Sequence, residues 1–174
     1  MSHILAEAYL ADLRQQARQY KSMAEKALAQ VEDDALFATL DAEANSLAIL
    51  LQHVGGNLRS RWTDFLTTDG EKPDRHRDDE FEGVPGTTRA ALMARWEAGW
   101  QCFFGTLDAL GADDLLRTIT IRQQPLTVVQ ALHRSLLHTA SHVGQMVLLA
   151  KHFAGPAWQT LSIPRGQSET FVPR

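Results

Sequence analysis

The stretch Thr127-Val128-Val129-Gln130-Ala131-Leu132-His133-Arg134-Ser135-Leu136-Leu137-His138-Thr139-Ala140-Ser141-His142-Val143-Gly144-Gln145 combines a helix start with two histidines at helical spacing. Thr127 with Gln130 three residues on forms a capping box, in which hydroxyl and amide side chains each satisfy an orphan backbone N–H. The helix is predicted to run to about Phe153, where Gly155 and Pro156 stop it. His138 and His142 are four residues apart. At 3.6 residues per turn and about 1.5 Å rise per residue they share one face, with rings about 6 Å apart along the axis. Two neutral imidazoles so placed can close on one metal ion. Two ordinary helix histidines would show the same spacing, and a third ligand on a facing helix separates the readings.

Outward from this segment, three more stretches carry helical periodicity. The first sets Leu5, Tyr9, Leu13, Tyr20, Ala24, Leu28 and Val31 on one apolar face. The second, capped by Asp33 or Asp34, has Phe37, Leu40, Ala44, Leu47, Leu51, Val54, Leu58, Trp62 and Phe65 as its stripe. Gly55-Gly56 interrupts that stripe and marks either a kink or a close approach. A polar connection from Leu66 to Gly86 follows, long enough to be functional or mobile. Its charge run from Lys72 to Glu80 reads as a solvated loop. The third helix starts near Thr87 or Thr88, turns Leu92, Trp96, Gly99, Phe103, Leu107 and Leu110 inward, and ends by Gly111. Thr118-Ile119-Thr120-Ile121 alternates as a short strand or hairpin edge. The tail from Trp158 to Arg174 is too polar for a helix, with Trp158, Leu161 and Ile163 available to pin it. The fold class is therefore all-α, a four-helix bundle with long connections between helices two and three and between three and four.

At 174 residues the chain is expected to be a single domain over 1–174, with a sizeable core. Hydrophobic content of 44% and charged content of 22% match a soluble globular protein. A net charge of -4 with scattered basic residues argues against nucleic acid as a partner. No apolar run approaches the ~20 residues of a membrane span. The N-terminal residues lack signal-peptide character, and the lone Cys102 fits a reducing compartment, so the expected location is cytoplasmic. Cys102 lies among bulky apolar residues, where a buried inert thiol is expected. There is no H-E-x-x-H, no paired Glu-x-x-His, no Walker-type loop and no G-x-S-x-G elbow.

Of seven histidines, most are out of reach of the pair. His133 lies ~140° and ~180° around the helix from His138 and His142. His152 is ~15 Å beyond His142. His3 is terminal and His76 lies in the long connection. His53 remains, mid-way along the second helix, with Asn57, Arg61 and Asp64 continuing its face. That polar row is either a solvated edge or one wall of a site between facing helices.

His53 in Leu50-Leu51-Gln52-His53-Val54, together with H-x-x-x-H-x-G-Q over His138, His142, Gly144 and Gln145, resembles the DinB-like superfamily, the DinB/YfiT-like metalloenzymes. Three longer strings resemble one branch of it, described as a domain of unknown function. They are Gly56-Asn57-Leu58-Arg59-Ser60-Arg61-Trp62-Thr63-Asp64-Phe65, Thr67-Thr68-Asp69-Gly70-Glu71-Lys72-Pro73 and Leu161-Ser162-Ile163-Pro164-Arg165-Gly166-Gln167-Ser168. The resemblance implies a four-helix bundle of the DinB/YfiT-like type, often a homodimer. It also implies a three-histidine metal site, here His53, His138 and His142. Characterised relatives include transferases of a low-molecular-weight thiol and a thiol-dependent isomerase.

Three histidines leave a coordination position open, as in catalytic sites, where the ion activates a water or thiol. Zinc or nickel is the first expectation, and iron, manganese or cobalt also suit imidazole. Gln145 stands where it can fix the second nitrogen of His142, or is simply a polar edge. Asn57 and Arg61 are candidate contacts to a small-molecule substrate, Arg61 to an anion, or else structural groups. Asp64 can pair with Arg61 from i+3. The functional expectation is a metal-dependent enzyme, a transferase passing a low-molecular-weight thiol to a small electrophile or else a hydrolase. The alternative is a non-catalytic metal-binding or stress-response protein in which the metal is structural.

Overall fold

The computed structural model describes residues 2–82 and 86–170. Residues 83–85 of the long connection and 171–174 of the tail lie outside the described residues. The elements in order are α1 (His3–Leu28), a short α2 (Asp33–Phe37), α3 (Leu47–Trp62), α4 (Arg89–Ala109), a hairpin of β1 (Thr118–Ile121) and β2 (Gln124–Thr127), and α5 (Val128–Ala154). The chain is mostly helical, with this one small two-stranded sheet among the described residues. Each long helix begins on a hydroxyl that accepts a backbone N–H three residues on: Ser2, Ser46, Thr88 and Thr127. At α5 the box is complete, because the Gln130 amide accepts the Thr127 N–H at 2.8 Å. Gly155, at φ 53°, ends α5.

The four long helices close into a ring: α3 packs on α4, α4 on α1, α1 on α5 and α5 on α3. Leu10, Leu13, Leu50, Leu51, Leu92, Trp96, Phe103, Leu132, Val143 and Met146 belong to the hydrophobic cluster between them. At Gly55 and Gly99 the backbones of α3 and α4 nearly touch. A Cβ on Gly99 would lie 2.4 Å from the Gly55 carbonyl oxygen, and one on Gly55 would lie 2.9 Å from that of Arg95. Of the two readings of the glycine pair, Gly55 therefore realises close approach, and α3 runs through it unbroken.

Several expectations are corrected. The second helix is two elements, because Ala38 is extended and Phe37 and Leu40 are exposed. Asp41 and Ser46 take up backbone N–H groups of Glu43 and Ile49, which competes with helix continuity. In α1 the buried residues are Ala6, Leu10, Leu13, Ala17, Ala24, Ala27 and Leu28, so Leu13, Ala24 and Leu28 lie inward as expected, while Leu5 is exposed and Tyr9 and Tyr20 sit at the margin. In the tail, Trp158 and Leu161 pack on the core but Ile163 is exposed. Cys102 is half-buried, not buried, with its thiol 3.4 Å from the Thr63 hydroxyl.

The hairpin matters for the site because it anchors the long connection. Its antiparallel register pairs Ile121 with Gln124 across a two-residue turn, Arg122-Gln123, with φ of 53° and 62°. Such turns favour Asn-Gly. Here the Asp69 carboxylate accepts both turn N–H groups at 2.8 Å, and Gly70 donates its N–H to Thr120. Burial acts to raise the Asp69 carboxyl, but the hydrogen bonds it accepts from the Glu71, Gln123 and Arg122 N–H groups outweigh it and hold the group down at about 2.

Candidate metal centre

Capping and apolar periodicity put His53 mid-way along α3 and His138 and His142 on the facing side of α5. The three rings meet. His53 Nε2 lies 3.1 Å from His138 Nε2, and His142 Nε2 lies 3.2 Å from the same atom. The candidate ligand atoms all lie within 4.8 Å of one another. His3, His76, His133 and His152 are exposed and apart from this cluster, as spacing requires.

The outer nitrogens fix which atom each ring presents. His53 Nδ1–H donates to Glu80 Oε2 at 2.8 Å, and His142 Nδ1–H donates to Gln145 Oε1 at 3.2 Å. Both rings then turn a bare Nε2 lone pair inward. Gln145 is thus on the ring of His142, while His138 Nδ1 is buried with no partner among the described residues. Burial pushes the His138 imidazole down to about 3, helped by His142 and His53 nearby. Burial lowers His142 as well, with the Gln145 hydrogen bond working against it. His138 and His142 are therefore neutral at pH 7, the form that binds metal.

Glu80 and Arg75 are the site residues that sequence reasoning missed. Both sit in the charge run read as solvated, and that reading holds for Pro73, Asp74, His76 and Arg77 to Asp79 only. The Arg75 and Glu80 side chains are 6% and 12% exposed, and the guanidinium grips the carboxylate through two 2.8 Å hydrogen bonds. Burial acts to raise Glu80, yet the bonds from His53 and Arg75 win and hold it below the usual carboxylate range. Gly56 makes room for it, since a Cβ there would lie 2.3 Å from Glu80 Oε1. A ligand histidine needs an acceptor on its far nitrogen. His53 with a glycine three residues on was the available signal that this acceptor arrives from another segment.

The remaining candidates divide. Asn57 is half-buried and, with His53 and His138, lines a cavity of about 140 Å³. Arg61 lines it too, but its guanidinium donates to the Gly70 carbonyl at 2.6 Å and to Glu71 at 2.9 Å, which makes it a strut for the connection. Burial lowers its pKa, with Glu71 opposing. The expected Arg61–Asp64 pair is absent from the ion pairs of the described residues, because α3 ends at Trp62 and Asp64 turns away at φ 45°.

The donor set fits a divalent ion. A tetrahedral ion with metal–nitrogen bonds of roughly 2.0–2.1 Å holds its ligand nitrogens roughly 3.3–3.4 Å apart. The two nitrogen separations above come within 0.3 Å of that spacing, on rings turned to present lone pairs. A hydrogen on His138 Nε2 would have to be shared between the two facing lone pairs, whereas one cation takes a lone pair from each ring. Helical fold and cluster together define a protein with a candidate three-histidine metal centre between two helices. The chain belongs to a family of proteins of unknown function (DUF1572), whose model matches residues 4–167. No curated protein matches it. Among the described residues no helix is long and apolar enough to cross a membrane.

Proposed function

We propose that this chain is a DinB-like, divalent-metal-binding protein with His53, His138 and His142 as ligands, and a metal-dependent enzyme that transfers a low-molecular-weight thiol to a small electrophile. The carrying observation is the convergence of the three Nε2 atoms, with Glu80 and Gln145 holding two of the rings. Zinc or nickel is the expected ion, with iron, manganese or cobalt also compatible with imidazole. A divalent ion in an open site supplies Lewis-acid activation of a water or thiol near neutral pH. Glu80 keeps the His53 ring oriented, and Asn57 faces the adjoining cavity, where a substrate has room. The thiol chemistry is drawn from the resemblance to the DinB-like superfamily.

Metal analysis of untagged protein tests the site: about one ion per chain is expected, and none in His53→Ala. A panel of cellular thiols and electrophiles tests the reaction, and no turnover with metal bound removes the enzyme reading. The slighter contact between α3 and α5 than between α3 and α4 favours a second reading, in which the ion ties α3 to α5. Metal removal then lowers the melting temperature markedly, because binding energy becomes folding energy. A homodimer and a cytoplasmic location complete the proposal. Trp96 and Trp100 on α4 are 0% and 1% exposed and so do not contribute to such an interface. The exposed Leu137 and Leu148, eleven residues apart on α5, offer an apolar row instead.

A further inference from the structure

The cavity beside the histidines has an unusual wall. Arg61, Arg75, Arg77, Arg122 and Arg134 line it, and none of its lining residues is acidic. The carboxylates paired with these arginines are Glu71, Glu80 and Asp78. Glu71 is shared by Arg61, Arg75 and Arg122, and Glu80 serves His53 as well as Arg75. Five guanidiniums against three carboxylates leave an excess of two positive charges around one small space. Arg134 has no carboxylate within ion-pair distance among the described residues. Arg75 is the sharper sign. Its side chain is 6% exposed, and its buried Nη1 makes no hydrogen bond among the described residues, with Glu71 Oε1 at 3.6 Å as an ion-pair neighbour beyond hydrogen-bond reach. A buried charged donor left unmade is costly, and such orphans call for an explanation in terms of a ligand.

We infer that this cavity binds the oxyanion group, carboxylate or phosphate, of a small substrate and sets that group beside the three-histidine cluster. Guanidinium forks match both anions bidentately, and Arg75 Nη1 supplies a donor already desolvated. At about 140 Å³ the space is below the roughly 300–1,000 Å³ of a drug-sized site, so it takes a short acid or an anionic terminus. Ile121 in the wall gives a short carbon chain an apolar contact. The inference deepens the function proposed above and rests on it only for what the far end of the ligand meets.

Calorimetric titration of the full-length protein, as purified and after metal loading, tests this with succinate, inorganic phosphate and succinamide, the uncharged counterpart of succinate. Succinate, phosphate or both are expected to bind once per chain, succinamide not at all, and the stronger of the two names the anion. Arg134→Gln reads charge alone, because that side chain is exposed and unpaired among the described residues, and should weaken binding at least threefold. Arg122→Gln/Arg134→Gln should weaken it tenfold or more. Binding of neither anion, or equal binding by wild type and both variants, overturns the inference. Metal uptake is measured on the same samples: metal bound without either anion sinks this inference and leaves the metal reading. Anion bound with the arginine dependence but without metal sinks the metal reading and leaves this one.

Discussion

Replacing Glu80 by Gln keeps the shape of the group that supports His53 and removes its charge. Three hydrogen bonds of 2.8 Å end on that carboxylate, one from His53 and two from Arg75. Glutamine can still accept from His53 Nδ1–H, but a neutral amide makes that ring a weaker electron donor. Partners of this kind are worth about 10–100-fold in metal affinity, or about 1.4–2.8 kcal/mol. Affinity is to be measured by competition with a chromophoric chelator at pH 7.5, on wild type and Glu80→Gln side by side. Stability is read separately by denaturant unfolding without metal. Arg75 retains Glu71 at 3.6 Å, so the loss should stay below the ~3–5 kcal/mol of a buried pair broken outright. A Glu80→Gln protein that binds zinc within twofold of wild type would refute the assignment of Glu80 as the support of a ligand.

Without metal, stability should fall as pH drops below 6.5. The unfolded chain takes up a proton there, while folded His138 stays neutral until about 3, so its contribution is present above 6.5 and lost across that window. Denaturant midpoints from pH 7.5 to 4.5 check this, and His138→Gln must flatten the slope. Metal affinity should fall over the same acidic range, and metal retained undiminished at pH 5 would exclude histidine ligands. Gly99→Ala should destabilise by about 1–3 kcal/mol through overpacking, since its methyl meets backbone and not a movable side chain; an unchanged melting temperature contradicts the close contact. Asp69→Ala should cost about 2 kcal/mol, because the Arg122 and Gln123 N–H groups lose a charged acceptor. A change under about 0.5 kcal/mol in thermal or denaturant unfolding would show that water replaces it freely.

The long helices and the histidine pair were legible because capping and periodicity are local. Thr127 with Gln130 fixed the start of α5, and that start placed His138 and His142 on one face. His53 followed from its place beside the apolar stripe of α3. The break after Phe37 was hidden because Phe37, Leu40 and Ala44 fall in phase with the stripe that resumes at Leu47, so periodicity bridged a gap that the turn-forming Asp41 and Ser46 create. The roles of Arg75 and Glu80 were hidden for a different reason. A charge run looks the same in sequence whether its members face water or one another, and here the partner His53 lies 27 residues away. The Arg61–Asp64 pairing fails for another reason, because helical spacing is informative only while the helix continues and α3 ends at Trp62, whereas the structural reading of Arg61 is met in Gly70 and Glu71.

Gly55 and Gly99 give the molecule a fixed point. Where backbone meets backbone there is no side chain to rotate, so α3 and α4 cannot accommodate a slide against each other by changing rotamers. His53 and Gly56, the latter under the carboxylate that orients His53, ride on α3 within one turn of that contact. His53 is thereby keyed to the α3–α4 pair. His138 and His142 ride on α5, whose main contact is with α1. Adjustment of the ring spacing, whether on taking up an ion or on exchanging a smaller ion for a larger one, is therefore expected on the side of α5 rather than through a slide of α3 against α4.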